Sequence, residues 1–243
     1  MQASPEAPLI SVIIPVYREE AVIAPFLQKL ARSLPRPQSE YILVDGSPGR
    51  ETLDAARGYE LIALASQTGR AAQMNTGAAK SRGRILLFLH ADTALPPNAF
   101  GAIQNALAAP DVAAGAFTLR IVAANPLVRA IGPLATLRSR LTRVPFGDQA
   151  IFIRREVFFQ RGGFAPIPIM EDLEFMRRLR KAGDRIVLLD AAVSTSGRRW
   201  EREGLFACSG RNLLLQTLYT LGVSPFRLAR LYPQAQKLSP PGK

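Results

Sequence analysis

Asp45, the His90-Ala91-Asp92 triplet and the Glu171-Asp172 pair are the residues best suited to chemistry, together with Arg70 and the run Arg198-Arg199-Trp200. Acids at a strand end suit a hard divalent cation that holds a diphosphate, because such a cation is bound by one or two carboxylates plus substrate phosphates. A separate carboxylate at a helix start can serve as general base. Arginines nearby would neutralise charge on a departing diphosphate. Together these types fit group transfer from a nucleotide diphosphate. Each also has a plainer role. Aspartate is a favoured helix cap, so Asp92 ahead of Pro96 and Asp172 ahead of a helix are also capping candidates. His90, the one histidine, is by default a hydrogen-bonded core residue, and Arg198 and Arg199 are by default surface charge. Asp148 is the second candidate for the base, or a group that orients the acceptor.

The elements that must position these residues follow from the apolar pattern. Leu9–Tyr17, Tyr41–Val44, Leu61–Ala65 and Ile85–Leu89 read as buried strands. Between them lie helical stretches: one with Phe26, Leu27, Leu30 and Leu34 on a face, one near Glu51–Arg57, and Arg70–Ser81; Pro96-Pro97 open another, through Leu107. Pro25 predicts a late start or a kink in the first. Strands alternating with helices imply an α/β fold with a parallel sheet covered on both faces, the Rossmann-like arrangement. Ligands of such sheets sit beyond the carboxyl ends of the strands, where Tyr17, Glu19, Asp45, His90 and Asp92 fall. The second half reads as a strand over Ala113–Val122, a basic helix over Leu127–Thr142, a strand over Gln149–Ile153, helices over Arg155–Arg161 and Asp172–Ala182, a strand over Arg185–Leu189 and a helix over Phe206–Leu221. Residues 1–8 are expected to be a disordered lead-in and residues 233–243 a disordered tail.

Composition narrows the class. At 243 residues, 48% hydrophobic and 21% charged, the chain is of globular type. One cysteine cannot build a disulfide framework or a thiolate zinc site, which suits a reducing cytoplasm. The net charge of +12 is unevenly placed: residues 1–119 carry ten basic and ten acidic side chains, residues 120–243 twenty-one and nine. No stretch is apolar for the roughly 18 residues of a membrane span. The 127–143 segment nevertheless alternates Leu127, Val128, Ile131, Leu134, Leu137 and Leu141 with Arg129, Arg138, Arg140 and Arg143, an interfacial pattern. With the leucine-rich final helix, residues 205–221, it suggests an acceptor pocket facing an anionic membrane surface, with a solvated basic face as the alternative. A nucleic-acid partner would call for clustered stacking aromatics, and aromatics are only 7% of the chain.

Seven blocks in order carry a resemblance to the family 2 glycosyltransferases of GT-A fold: residues 10–20 (ISVIIPVYREE), Leu43-Val44-Asp45-Gly46-Ser47, the run from Gly69 to Asn75, the run from Leu87 to Asp92, Gly147-Asp148-Gln149, Met170-Glu171-Asp172 and Ser196-Gly197-Arg198-Arg199-Trp200. More narrowly the chain resembles the small single-domain bacterial subgroup with HAD in place of Asp-x-Asp, associated with radical-SAM and selenium-related gene neighbourhoods. The resemblance implies one domain over 9–232, with a nucleotide-sugar half (9–110) continuous with an acceptor half (111–232). It implies a nucleotide-diphosphate sugar donor, a UDP-sugar in first place, an inverting mechanism and a divalent metal, Mn²⁺ or Mg²⁺. Pro15, Val16, Tyr17 and Glu19 match the nucleoside-site block, Asp45 the acid that contacts the base, and Gly69-Arg70 the segment closing over the nucleotide. Asp92 matches the metal-binding acid, Asp172 the catalytic base with Glu171 beside it, and Arg198, Arg199 and Trp200 loosely match an element contacting diphosphate and acceptor. Relatives act on lipids, polyprenyl phosphates, carotenoid acids and small metabolites, so the expected acceptor is a hydroxyl or carboxylate, with a lipid or carotenoid-like molecule at the membrane surface as one candidate. His90 replaces a carboxylate with a nitrogen ligand better suited to Mn²⁺. The alternatives are a nucleotidyltransferase on a similar sheet, whose Gly-rich phosphate loop residues 13–20 lack, and a non-catalytic protein binding an anionic partner. The expected location is the cytoplasm, with a peripheral place on the inner face of the plasma membrane as the variant.

Overall fold

β-branched residues build the first strand, β1 (Ile10–Val16), and every residue of it is buried. That is the signature of a strand covered on both faces. The computed structural model describes residues 8–232; the expected lead-in, apart from Pro8, and the expected tail lie outside them. β1 pairs in parallel with β2 (Ser39–Asp45) on one side and β4 (Ile85–Phe88) on the other, and β2 pairs in parallel with β3 (Ile62–Ala65). The chain therefore winds outward through β2 and β3 and then returns to the far side of β1. This reversal opens a crevice at the carboxyl ends of β1 and β4.

The rest of the sheet is mixed. β7 (Phe152–Arg154) runs antiparallel to both β4 and β6 (Val112–Val122). β6 pairs in parallel with β8 (Arg185–Ser196), and the short β5 (Thr93–Ala94) lies antiparallel on β8. The order is β3-β2-β1-β4-β7-β6-β8-β5. On one face α1 (Ile23–Ser33), α2 (Glu51–Ala55), α4 (Ala99–Ala106) and α5 (Pro126–Thr142) bury Leu27, Leu53, Ile103 and Val128 against Ile10, Val12 and Ile14. On the other, α3 (Arg70–Lys80), α6 (Arg155–Gln160) and α7 (Glu171–Lys181) bury Met74, Phe158 and Phe175 with Ile13, Ile42 and Val44. The small residues of α3 have a packing reason: a Cβ on Gly77 would lie 2.6 Å from Ile13 Cγ2, so the helix sits directly on the sheet.

α1 starts late, as Pro25 suggested: Glu19 and Glu20 stand ahead of it and it begins at Ile23, so the proline falls in the first turn, where its missing N–H would have no partner in the helix. Other expectations are corrected. The strand expected over Gln149–Ile153 is a 3-10 turn (Gly147–Gln149) followed by β7, because Ala150 takes the left-handed conformation with φ of 51°. Gln149, wholly buried, accepts from Ser139 Oγ at 2.6 Å and donates to Phe117 O at 3.0 Å. β8 continues seven residues past Leu189, since β6 offers it a partner as far as Val122. β5, α8 (Arg198–Glu203) and α10 (Pro225–Ala229) were not expected, and α9 (Leu205–Thr220) matches the final expected helix within one residue at each end.

At the opposite end of the sheet from the crevice, buried Glu40 accepts hydrogen bonds from Ser11 Oγ at 2.5 Å, Arg82 N at 2.6 Å and Arg82 Nε at 3.1 Å. Burial pushes this carboxyl up, but the bonds from Ser11 and Arg82 outweigh it and hold it below the usual glutamate range. Its contribution is therefore present above the unfolded-state value and lost as pH falls through the folded one. Glu40→Gln is expected to cost about 1.5–3 kcal/mol at pH 7, the range for hydrogen bonds to a charged group. Urea unfolding at pH 7 and again below pH 4 checks this: the gap between variant and native chain should narrow in acid.

Candidate active site

The crevice holds a cavity of about 610 Å³. Its walls bring together most of the residues singled out from sequence: Pro15, Val16, Tyr17 and Glu19 after β1, Arg70 at the first turn of α3, His90 and Asp92 after β4, Asp148 from the 3-10 turn, Asp172 from α7, and Arg198, Arg199 and Trp200 from α8. Three do not reach the wall. Gly69 stands just ahead of α3, Glu171 lies beneath the surface at 2% exposure, and Asp45 is buried at 1%. Asp45 Oδ1 accepts the Ser47 N–H at 2.8 Å, while Oδ2 is buried without a partner. Gln73 ties β1 and β2 together beside it, donating to Val16 O at 2.6 Å and Val44 O at 2.9 Å.

The tightest constellation joins α3, α7, the 3-10 turn and the end of β4. Arg70 Nε donates to Glu171 Oε1 at 2.9 Å, and the other oxygen of Glu171 is buried without a partner. Burial pushes Glu171 up and Arg70 pulls it back; in return Glu171 raises Arg70 further, so the guanidinium is charged throughout. One residue on, Asp172 is fixed at both oxygens: Oδ1 accepts the Leu173 N–H at 2.7 Å and Oδ2 the Gly147 N–H at 2.6 Å. Gly147 suits this place, since a Cβ on it would stand 3.1 Å from Asp172 Oδ2 and 3.1 Å from His90 Nε2, crowding both side chains. The histidine and the aspartate thus meet across a backbone with no side chain. Met170, directly before the pair, has φ of 67°, a conformation costly for a side-chain-bearing residue and typical of sites held by their surroundings.

Electrostatics divide the acids into roles. Burial, and after it Arg70, hold His90 below the ordinary imidazole range, so it is neutral at pH 7, the form that ligates metals. Burial and the Asp92 charge push Glu19 up. Burial, then Asp172, push Asp148 up to about 6, against the pull of Arg138. Among the described residues no three or more His, Cys, Asp or Glu side chains converge as a metal cage. His90 and Asp92 offer one nitrogen and one carboxylate, which fits a cation completing its shell with substrate phosphates and water.

Other wall residues escaped the sequence reading. Thr195 arrives with the unexpected length of β8, and Arg202 with α8. Asn212 and Gln216, four apart on α9, face the cavity beside Leu215; a polar pair at helical spacing inside an apolar run was the available signal. Tyr232 closes the far side and accepts from Arg199 Nη1 at 2.9 Å, while Trp200 Nε1 donates to Ser209 Oγ at 3.2 Å.

Solved structures with the same architecture are glycosyltransferases of the GT-A fold. The mannosyltransferase PcManGT of Pyrobaculum calidifontis, in complex with GDP-Man and Mn²⁺, superposes with a TM-score of 0.66 at 21% identity over 96% of this chain and 73% of its own. S. aureus TarS 1-349 gives 0.60 at 17% identity, over 93% and 70%, and its complex with UDP-GlcNAc gives 0.61 at 16%, over 93% and 71%. No curated protein matches the sequence. The family assignment comes from the sequence itself: residues 11–168 match glycosyl transferase family 2, and the chain belongs to that family. Glu171, Asp172 and the arginines of α8 lie beyond the matched residues.

Two outcomes are expected of this constellation. Arg70→Ala leaves a buried charge on Glu171 unpaired and should cost about 3 kcal/mol. Adding Glu171→Gln should return part of that loss, and strict additivity in a double-mutant cycle by denaturant unfolding would show the pair uncoupled. Asp148, raised in the folded state, contributes stability that is full below its unfolded value and is lost as pH rises through about 6. Melting temperatures of the native chain should therefore fall relative to those of Asp148→Asn between pH 4 and about 6, and run parallel above.

Proposed function

We propose that the protein is an inverting glycosyltransferase that moves a sugar from a nucleotide-diphosphate sugar, with UDP-sugars first in expectation, to an acceptor hydroxyl or carboxylate. The observation that carries this is the convergence in one cavity of Asp172, fixed at both oxygens, with the His90/Asp92 pair and the cationic Arg70. The bound sugar nucleotides of the neighbours are consistent with it: GDP-Man in one, UDP-GlcNAc in another.

In this reading residues 9–110 hold the donor and 111–232 the acceptor. The acceptor oxygen attacks the anomeric carbon opposite the diphosphate, a new C–O bond forms, and the bond to the diphosphate oxygen breaks. Asp172 takes the acceptor proton on a lone pair not used by Gly147 or Leu173; a carboxylate has about four such sites. A carboxylate acceptor arrives already ionised and needs no base. Arg70, Arg198 and Arg199 face the negative charge that grows on the leaving diphosphate. His90 and Asp92 would hold a divalent cation, which when bound supplies further neutralisation of that charge. Asp45, beneath the wall, would act on the nucleotide side by shaping the loop it holds through Ser47, and Glu171 acts on Asp172 by fixing the start of α7.

A thermal-shift panel of UDP-, GDP- and TDP-sugars with Mn²⁺ or Mg²⁺ tests the reading. A true donor at one hundred times its dissociation constant adds about 2.7 kcal/mol. Asp92→Ala should abolish the metal-dependent part of the shift. Asp172→Asn should keep the shift and lower turnover of a hydroxyl acceptor by ~10² to 10⁴. Silence from every nucleotide with both metals overturns the proposal, and normal turnover by Asp172→Asn moves the base to Asp148.

A further inference from the structure

Among the described residues, every large apolar side chain that stands well exposed lies at or beyond Val122, in the half that carries the excess positive charge. Helix α5 concentrates both properties. Its inward face buries Val128, Gly132 and Ser139, and Thr136 Oγ1 accepts the Leu119 N–H at 3.0 Å, which fixes the helix's rotation on β6. The face turned outward by that rotation bears Leu127, Leu134, Leu137 and Leu141, spaced three or four positions apart once Ala130 is included. Leu134, Leu137 and Leu141 are 64%, 53% and 76% exposed. Such spacing makes one continuous apolar ridge along the helix.

Arginines flank the ridge. Arg129 and Arg140 lie along one side, Arg138 along the other, and Arg143 ends the helix, while α5 itself has no acidic residue. Arg140, Arg143 and Arg185 line a hollow of about 290 Å³ with Ser139. Arg140 reaches Asp190 and Arg185 reaches Asp111, and Arg143 makes no ion pair among the described residues. Charge separates this helix from α9, whose outward Phe206, Leu213 and Leu214 are accompanied by one arginine, Arg211, already committed to Glu203. A second copy of the chain would bring arginine against arginine along the ridge, which is unfavourable; a surface of anionic phosphates meets it with opposite charge.

We propose that the outward face of α5 docks on an anionic lipid bilayer, the leucines entering the headgroup boundary and the arginines, with the hollow beside them, engaging lipid phosphates. No helix of the described residues is long and apolar enough to cross a membrane, so the contact is peripheral. The inference rests on this surface and not on the transfer reaction. It does bear on it: Arg138, beside the ridge, stacks 3.2 Å above the ring of Phe146, a cavity-wall residue, so the docking face adjoins the cavity.

The test is co-sedimentation of the full chain with vesicles of phosphatidylcholine alone and of phosphatidylcholine mixed with phosphatidylglycerol. Binding should require the anionic lipid and weaken with salt. Arg129→Gln with Arg143→Gln should lower the affinity by about fivefold for each arginine. Leu134→Gln with Leu137→Gln and Leu141→Gln should abolish retention. These side chains are exposed, and an unchanged circular-dichroism melt shows that the fold is kept. Equal retention on both vesicles, retention on neither, or full retention of the leucine variant overturns the proposal. So does a dimer in sedimentation equilibrium that the leucine variant dissolves, since the ridge would then be occupied by a second copy.

Discussion

The candidate site hangs on a carboxylate almost wholly removed from water. Glu171 is almost wholly buried, and an ionised group in that position needs a cation; the cation comes from the first residue of a helix in the other half of the chain. That one pair joins α3, which covers the parallel strands β1 and β2, to α7, which packs beyond β7. Because Asp172 follows Glu171 directly, the pairing also decides where the proposed base stands, and the Gly147 N–H completes its placement. Moving either helix by an ångström would separate the pair and disturb the carboxylate that points into the cavity. The local backbone bears the cost: Met170 takes a left-handed conformation to start α7 at this place.

Much of this was legible from the chain. The apolar runs named β1, β2, β3 and β4, and the rule that ligands gather at strand ends placed His90, Asp92, Tyr17 and Glu19 where the cavity lies. What escaped was decided by tertiary partners. Residues 190–196 are mostly small or polar, with Val193 their one large apolar side chain; they are extended because β6 is there to pair with them. Gln149 was read as part of a strand, yet its side chain is consumed by Ser139 and Phe117, contacts that no local pattern encodes. Asp45 was expected at the nucleotide and is found beneath the wall, turned to its own loop through Ser47. Asn212 and Gln216 were hidden inside a leucine-rich helix whose apolar bulk drew the reading toward packing.

Two kinds of surface result. The half built on β1 to β4 is balanced in charge and hides its large apolar side chains, as expected of a scaffold whose polar work is confined to one crevice. The half built on β6 and β8 carries the arginines, and spends them unevenly: Arg70's counterparts across the cavity, Arg198 and Arg199, face the crevice, whereas those of α5 stand outside beside leucines. Arg138 is the link between the two populations, lying on Phe146 with its Nε buried and unpartnered. A cation–π contact of this kind holds a charged group against an apolar wall without removing its charge.

The antiparallel strand β7 has a consequence for how the molecule is made. It is only three residues long, yet it is the hydrogen-bonded seam between β4 and β6, so the two parallel parts of the sheet meet nowhere else along their strands. During synthesis the first part, complete by Phe88, must wait with one edge of β4 unpaired while more than sixty further residues emerge, and those include the whole of β6. An exposed strand edge is a template for wrong partners, and the closing contact spans a long stretch of chain, which slows folding. The N-terminal part is therefore the piece that waits, and the ribosome's pace from Phe88 to Arg154 sets how long that edge stays open to intermolecular pairing.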